Sequence, residues 1–208
     1  AGGAGVNAAC RRALGVVAWQ LGPQLNVPVA KASSGARSDF IAAGRGLGNP
    51  GADSTVEVRR HRAVTVQGIT EVVEVTSRAD LPFETEVGLH LAGDGAPIWL
   101  VKSGVESEAF LPVEPSATGL SWRDDWHHTD VSFDPPATAL VLGSSGEASV
   151  ATFRVVVAPC QTASVVATVR ASRVRESNFD ADAGAAHVAL TGISVEALAA
   201  RRAWPVTA

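Results

Sequence analysis

The chain has 208 residues, of which 46% are hydrophobic and 18% charged, with a formal net charge of −4. This composition excludes a disordered or fibrous protein, and no apolar run reaches the roughly 18 residues of a membrane-spanning helix. The charges are scattered rather than gathered into a basic stripe, which argues against nucleic acid as a partner. We therefore expect one soluble domain over residues 1–208, with neither a membrane nor a nucleic acid as partner.

The cysteine content and the start of the chain bear on its compartment. Cys10 and Cys160 are too few for the disulfide framework of a small secreted fold. Whether these two cysteines form one disulfide bond with each other stays open. No pair of cysteines has the spacing of a zinc site. The first ten residues, AGGAGVNAAC, lack the basic and apolar regions of a signal peptide, and we expect a cytoplasmic protein.

Alternation of apolar and polar residues is the dominant pattern along the chain, and it is typical of β-strands. The first predicted strands are 54–64 and 69–77, and a turn then leads into FETEVGLHL at 83–91. In this third strand the residues expected to face a core are Phe83, Thr85, Val87, Leu89 and Leu91. We expect the three strands to form one antiparallel meander.

Four later segments are rich in β-branched residues and are separated by Gly, Pro and Ser clusters. They predict strands at 96–104, 138–143, 149–159 and 163–172. The glycine-rich segment 42–51 lacks the Lys-Ser/Thr of a phosphate-binding loop and is predicted to be a surface loop. Helical periodicity is limited to the tail at about 194–208. The sequence thus predicts an all-β fold, an antiparallel β-sandwich of roughly ten or more strands with little helix.

The segment SWRDDWHHTD at 121–130 concentrates two tryptophans, two histidines and three aspartates. It predicts two edge strands broken by a turn at 123–125. His127 and His128 then point to opposite faces and cannot both bind one metal ion without a bulge, so we expect no metal site. Two interpretations stay open: a polar turn with two partly buried tryptophans, or a sugar-stacking platform formed by Trp122 or Trp126.

Catalytic patterns are weak throughout the sequence. There is no G-x-S-x-G nucleophile motif, and neither cysteine has a histidine beside it in sequence. Carboxylate pairs such as Asp124 with Asp125, or Glu71 with Glu74, diverge in β-structure, so the sequence places no pair at the separation that a glycosidase needs. We predict no catalytic residue and no cofactor.

An ordered series of segments over residues 5–169 resembles one family. GVNAACRRAL at 5–14 is similar to that family's opening motif, with Arg12 in a matching place. The run at 54–91 follows the family's order of an Arg-x-Arg strand, a strand with a glutamate, and a polar turn before a third strand. GDGAPIWLVKSG at 93–104 lies where the family has an acidic motif. Its equivalent positions are Asp94, Ala96, Trp99, Val101 and Lys102.

The family that these segments resemble is the N-terminal β-sandwich domain of bacterial glycogen-debranching (amylo-α-1,6-glucosidase-like) proteins, a fold of the supersandwich type. Three of its carboxylates are lost, because Cys10, Pro97 and Leu100 replace Asp, Asp and Glu, while Gly95 replaces Phe. The resemblance implies that these segments brace the interface with a following (α/α)-barrel, which carries the catalytic carboxylates. We expect that barrel to be separate or missing here.

The resemblance implies four interface or substrate-side residues: Arg12, Asp94, Trp99 and Lys102. Each also has a structural interpretation, with Trp99 in the core and with Arg12 and Lys102 as ordinary surface charges.

Three functional hypotheses follow. The first is a non-catalytic domain that packs against an (α/α)-barrel and shapes the access of an α-glucan. The second is a self-standing homo-oligomeric module that binds a glycan or a protein through Trp122 and Trp126. The third, a complete glycoside hydrolase, is the least favoured, and we expect this chain alone to be no enzyme.

Overall fold

The structure is a computed structural model that describes residues 6–8, 11–22, 26–66, 68–104 and 109–174. The predicted helical tail at 194–208 and Cys10 lie outside these residues. The strands of the described chain are β1 (Val6–Ala8), β2 (Arg11–Leu14), β3 (Val16–Leu21), β4 (Asn26–Ser34), β5 (Arg37–Gly44), β6 (Val56–Thr65), β7 (Gly68–Ser77), β8 (Phe83–Ala92), β9 (Val113–Ser116), β10 (Gly119–Arg123), β11 (His127–Asp134), β12 (Ala139–Val141), β13 (Ser149–Val157) and β14 (Thr162–Arg173). A short helix, α1 (Ile98–Lys102), follows β8. No helix among the described residues has the length and apolarity to cross a membrane.

Antiparallel pairing arranges the strands in two main sheets and one hairpin. The larger sheet has the order β4-β5-β6-β7-β14-β11-β10-β9, and the smaller has the order β12-β13-β8-β3. The short strands β1 and β2 pair with each other. The predicted all-β antiparallel sandwich is therefore confirmed.

The core lies between the two sheets and follows the alternation of the sequence. In β8 the predicted inward residues from Thr85 to Leu91 are buried, whereas Glu84 and Glu86 are exposed. Phe153 from the smaller sheet meets Phe133 from the larger sheet edge to face, with 5.4 Å between the ring centroids. Burial of such aromatic and aliphatic side chains is the main force that holds the two layers together.

The larger sheet extends beyond the smaller one at β4 and β5. The described side chains of β4, at 27–34, are all exposed, and within β5 only Gly44 is buried. The smaller sheet ends at β3, whose Trp19 lies beside Phe40 of β5. Among the described residues, the inner face of β4 and β5 therefore has no strand opposite it.

The predicted three-stranded meander is wrong. The hairpin of β6 and β7 forms as expected, with Val58 opposite Val75. After Ser77, however, the chain crosses to the other sheet, where β8 pairs with β13 and β3. Strands that are half-buried in either sheet have the same alternation, so the pattern does not distinguish the two arrangements.

The predicted strand at 96–104 is also wrong, because its centre forms α1. Pro97 precedes the helix with φ −59°, and glycines with positive φ lie on both sides, Gly95 at 60° and Gly104 at 76°. These residues interrupt an extended chain and allow one helical turn. A short apolar run such as IWLV is compatible with either a helix or a strand, so its periodicity does not decide between them.

Candidate functional site

Arg12 and Asp94 form a salt bridge that ties β2 to the segment after β8. The Arg12 Nε donates to both carboxylate oxygens of Asp94 at 3.1 Å, and its Nη2 also donates to Oδ2. The backbone N–H of Ala96 donates to Oδ1 at 3.2 Å. The side chains are 16% and 1% exposed, respectively. The structure thus brings these two candidate residues together as a mostly buried pair.

Arg11 joins the same two segments beside this pair. Its Nη1 donates to the carbonyl oxygen of Gly95 at 2.9 Å, and its backbone forms an antiparallel bridge with Pro97. Gly95 has a positive φ, and a Cβ there would lie 2.8 Å from Asp124 Oδ2. The glycine that replaces the family's phenylalanine is therefore required by the local geometry.

Trp122 is a core residue. It is 2% exposed, and its Nε1 donates to the carbonyl oxygen of Ala13 at 2.9 Å. Gly93 makes room for the indole, since a Cβ at that position would lie 2.1 Å from Nε1. The hypothesis that Trp122 forms a sugar platform is therefore wrong, because no face of its ring is open to a ligand.

The turn between β10 and β11 is closed by Asp124. Its Oδ1 accepts hydrogen bonds from the backbone N–H groups of Trp126 at 2.7 Å and His127 at 2.6 Å. Such an Asx arrangement is a common way to fix a tight turn. The prediction that these two strands lie at the edge of a sheet is wrong, because β10 also pairs with β9 and β11 also pairs with β14.

Exposed aromatic and cationic side chains lie on the segments that flank this buried framework. Trp126 is 38% exposed, and the Arg11 guanidinium lies 5.7 Å from its ring centroid. Trp99 is 68% exposed on α1, which packs beside β2, and Lys102 of the same helix is exposed. The prediction that Trp99 is a core residue is wrong, since no residue of α1 is buried. We call Arg11, Trp99, Lys102 and Trp126 the tryptophan corner.

The two adjacent histidines point to opposite faces, as predicted. His127 is buried, its Nδ1 is 3.7 Å from Asp124 Oδ1, and neither ring nitrogen has a hydrogen-bond partner in the described structure. His128 lies on the outer face, 3.0 Å from Asp130. No group of three potential metal ligands occurs within the described residues.

Glu71 is the centre of a second polar cluster, which the sequence pattern alone does not predict. It is buried in β7 and accepts hydrogen bonds from Arg60 Nε at 2.7 Å and from Arg62 Nε. Trp19 Nε1 of the other sheet donates to it at 2.8 Å. The Arg-x-Arg pattern of β6 was visible, but only the register that places Arg62 opposite Glu71 reveals the cluster.

His61 forms a third cluster on the outer face of the larger sheet. Its Nδ1 lies 2.5 Å from Asp39 Oδ1 of β5, and its Nε2 lies 3.2 Å from Glu74 Oε2 of β7. The hydrogen bond with Asp39, together with the contacts to Glu74, raises the pKa of His61 above its ordinary value of 6.5, although burial opposes the shift. Glu71 and Glu74 thus face opposite sides of the sheet, as predicted for a diverging pair.

Some solved structures share a general likeness with this chain. A protein described as a kojibiose phosphorylase from the human microbiome has a TM-score of 0.48 at 8% identity, over 75% of this chain and 20% of that one. A galactose mutarotase-like protein from Clostridium acetobutylicum has a TM-score of 0.46 at 9% identity, over 72% and 67% of the two chains. The chain thus spans a fifth of the first of these proteins.

Sequence comparison gives the family. No curated protein has a significant sequence match to this chain. The family model described as the N-terminal domain of some glycogen debranching enzymes matches residues 2–168, which are most of the chain. The resemblance inferred from the sequence motifs is therefore confirmed. This chain belongs to the family of N-terminal domains of glycogen debranching enzymes.

Proposed function

We propose that this chain is a non-catalytic domain of a debranching-type carbohydrate-active protein, which packs against an (α/α)-barrel and shapes the access of an α-glucan. Its membership of the family is the observation that carries the proposal. The state of two deeply buried carboxylates supports a non-catalytic role. Asp94 and Glu71 are each engaged by arginine, which leaves neither placed to exchange a proton with a substrate.

The tryptophan corner is the surface that we assign to the barrel and the glucan. Trp and Arg are the residues most enriched at the centres of binding interfaces, and an indole ring can also stack on the apolar face of a sugar. The buried pair of Arg12 and Asp94 fixes the backbone beneath the corner. A surface held in this way loses little conformational entropy on binding.

Calorimetry with maltoheptaose and a branched limit dextrin tests the glucan-facing role. We expect saturable binding by the unmodified chain, weakened about tenfold or more by Trp126→Ala or Trp99→Ala. Val156→Ala is the matched control, because Val156 is exposed at the opposite end of the smaller sheet. Absence of heat at millimolar sugar, or equal loss in the control, would contradict this role.

A second candidate function is a self-standing oligomeric module. It is favoured by the exposed edge strand β4, where Val27 and Val29 are open to solvent. Open strand edges pair readily with another copy of the chain. Light scattering after gel filtration separates the two proposals: a stable homo-oligomer that Val29→Lys disrupts supports the module, and a monomer at all concentrations contradicts it.

A further inference from the structure

A groove opens where the larger sheet extends past β3. It is a cavity of about 140 Å³ between the edge of the smaller sheet and the inner face of β5 and β6. Its lining includes Trp19, Phe40, Ala42, Val58 and Arg60. Trp19 and Phe40 are only partly buried, so the groove is open to solvent.

The lining of the groove suits an apolar side chain better than a sugar. Most of the wall is aliphatic or aromatic, and the two polar donors directed at Glu71 are engaged there. Trp19 Nε1 and Arg60 Nε both donate to Glu71. Sites for small polar ligands need several convergent polar groups and have volumes of roughly 300 Å³ or more. A smaller apolar pocket is typical of the place where a protein partner inserts one anchor residue.

The charge around the groove favours an acidic neighbour for that anchor. The Arg60 guanidinium lies 5.1 Å from the Phe40 ring centroid, and the Lys31 ammonium lies 5.4 Å from it. Arg60 and Arg62 share a single carboxylate, Glu71. The two arginines therefore share one negative charge, and Lys31 adds a further positive charge beside Phe40. A partner with carboxylates would complement this face.

We infer that this groove docks a segment of a protein partner in which one apolar side chain is flanked by carboxylates. The apolar side chain fills the space between Trp19 and Phe40, and the carboxylates meet Lys31 and Arg60. The site goes beyond the proposed glucan-facing role, because it uses another surface and another ligand chemistry. It does not depend on the tryptophan corner.

Titration of the folded chain with model peptides, followed by NMR of the backbone amides, tests the inference. The probe is a blocked pentapeptide with a central phenylalanine and two glutamates on each side. Two matched peptides replace the phenylalanine by glycine or the glutamates by lysines. We expect the probe to bind saturably and to shift amides of β3, β5 and β6, and both matched peptides to bind about tenfold more weakly or not at all.

Substitutions in the chain locate the binding. Ala42→Leu fills the groove, and Lys31→Glu reverses a charge at its rim. Each substitution should therefore weaken the binding of the probe peptide about tenfold. Arg37→Glu is the control, because Arg37 is exposed on the opposite face of β5 and should leave binding unchanged. Lys31 is itself exposed, so Lys31→Glu remains informative even if Ala42→Leu fails to fold.

Four results would overturn the inference. They are absence of saturation at millimolar probe, equal binding of the lysine peptide, equal effects of Arg37→Glu and Lys31→Glu, and displacement of the probe from the same amides by maltotriose. The last result would make the groove a sugar site. Loss of glucan binding at the tryptophan corner has no bearing on this outcome, so the two proposals fail independently.

Discussion

Paired buried charge is the main residue-scale feature of this domain. Asp94 and Glu71 have almost no exposure, and each accepts hydrogen bonds from arginine side chains. A buried carboxylate is tolerated only when its lone pairs are satisfied, because desolvation is costly. Removal of either carboxylate should therefore destabilise the chain far more than the loss of an exposed ion pair.

Asp94→Ala tests this expectation. The substitution leaves the mostly buried Arg12 guanidinium without its carboxylate, and we expect the free energy of unfolding to fall by about 3 kcal/mol. Urea denaturation followed by circular dichroism measures the change. The control is Glu84→Ala, which breaks the exposed pair with Arg154 and should change stability little. Equal effects of the two substitutions would show that the burial of the Asp94 pair is not decisive.

The candidate residues differ in how far the sequence could place them. Arg12 and Asp94 were found through the family resemblance, and the structure joins them in one salt bridge. For Trp99 the sequence leaves an interface position and a core position open, and its exposure on α1 rules out the core. Glu71 was missed because its importance depends on burial and on partners from another strand and another sheet. Hydrophobicity alone predicts average burial and not the position of one side chain.

At the scale of elements, β5, β6 and β7 are tied together on their outer face by His61. The pKa of His61 is raised, first by the hydrogen bond with Asp39 and then by Glu74. Because the folded-state pKa lies above the unfolded value, the protonated ring stabilises the fold fully below the unfolded pKa. This stabilisation is lost as the pH rises through the folded-state pKa.

An NMR titration of the His61 ring tests this coupling. We expect a midpoint above 6.5 in the unmodified chain and a lower midpoint in Asp39→Asn. Asp130→Asn is the control, since Asp130 lies beside His128 on β11. The stability difference between the unmodified chain and His61→Gln should shrink as the pH rises above the midpoint. A midpoint at or below 6.5 would contradict the coupling.

The strands were predicted better than the connections between them. Alternation placed β6, β7, β8, β13 and β14 within a few residues, because inward and outward positions in a strand differ directly in polarity. The helix α1 lies where the sequence predicts a strand, since a short apolar run has no diagnostic period. The sequence pattern does not predict the strands β4 and β5. The described side chains of β4 are exposed and most of those of β5 are half-buried, so neither strand shows a clear alternation of inward and outward positions.

At the scale of the whole molecule, the two sheets differ in width, so within the described part of the chain the smaller sheet leaves part of the larger one uncovered. The Trp19–Glu71 hydrogen bond crosses between the sheets at the border of this uncovered region. A hydrogen bond to a charged acceptor contributes more to stability than a hydrogen bond to a neutral acceptor, because a buried charged acceptor is costly to leave unsatisfied. We therefore expect the Trp19–Glu71 hydrogen bond to stabilise the packing of the two sheets.

Trp19→Phe tests the contribution of this inter-sheet hydrogen bond, because the substitution keeps an aromatic ring and removes the Nε1 donor. We expect the free energy of unfolding to fall by about 1–2 kcal/mol, measured by urea denaturation. Trp126→Phe is the matched control, since Trp126 is partly exposed and its ring contact is with Arg11. If the two substitutions cost the same, the inter-sheet bond contributes no special stability.

The sequence by itself determined the β-class, the family and the inward faces of the main strands. These properties follow from the local alternation of apolar and polar residues and from the order of the motifs, and both can be seen in the sequence without knowledge of tertiary contacts. Only the tertiary structure decided that β8 crosses to the other sheet, that Trp122 is buried while Trp99 is exposed, and that Glu71 meets Trp19. The physical reason is that these outcomes depend on contacts between residues far apart in sequence, and alternation carries no information about which strands meet.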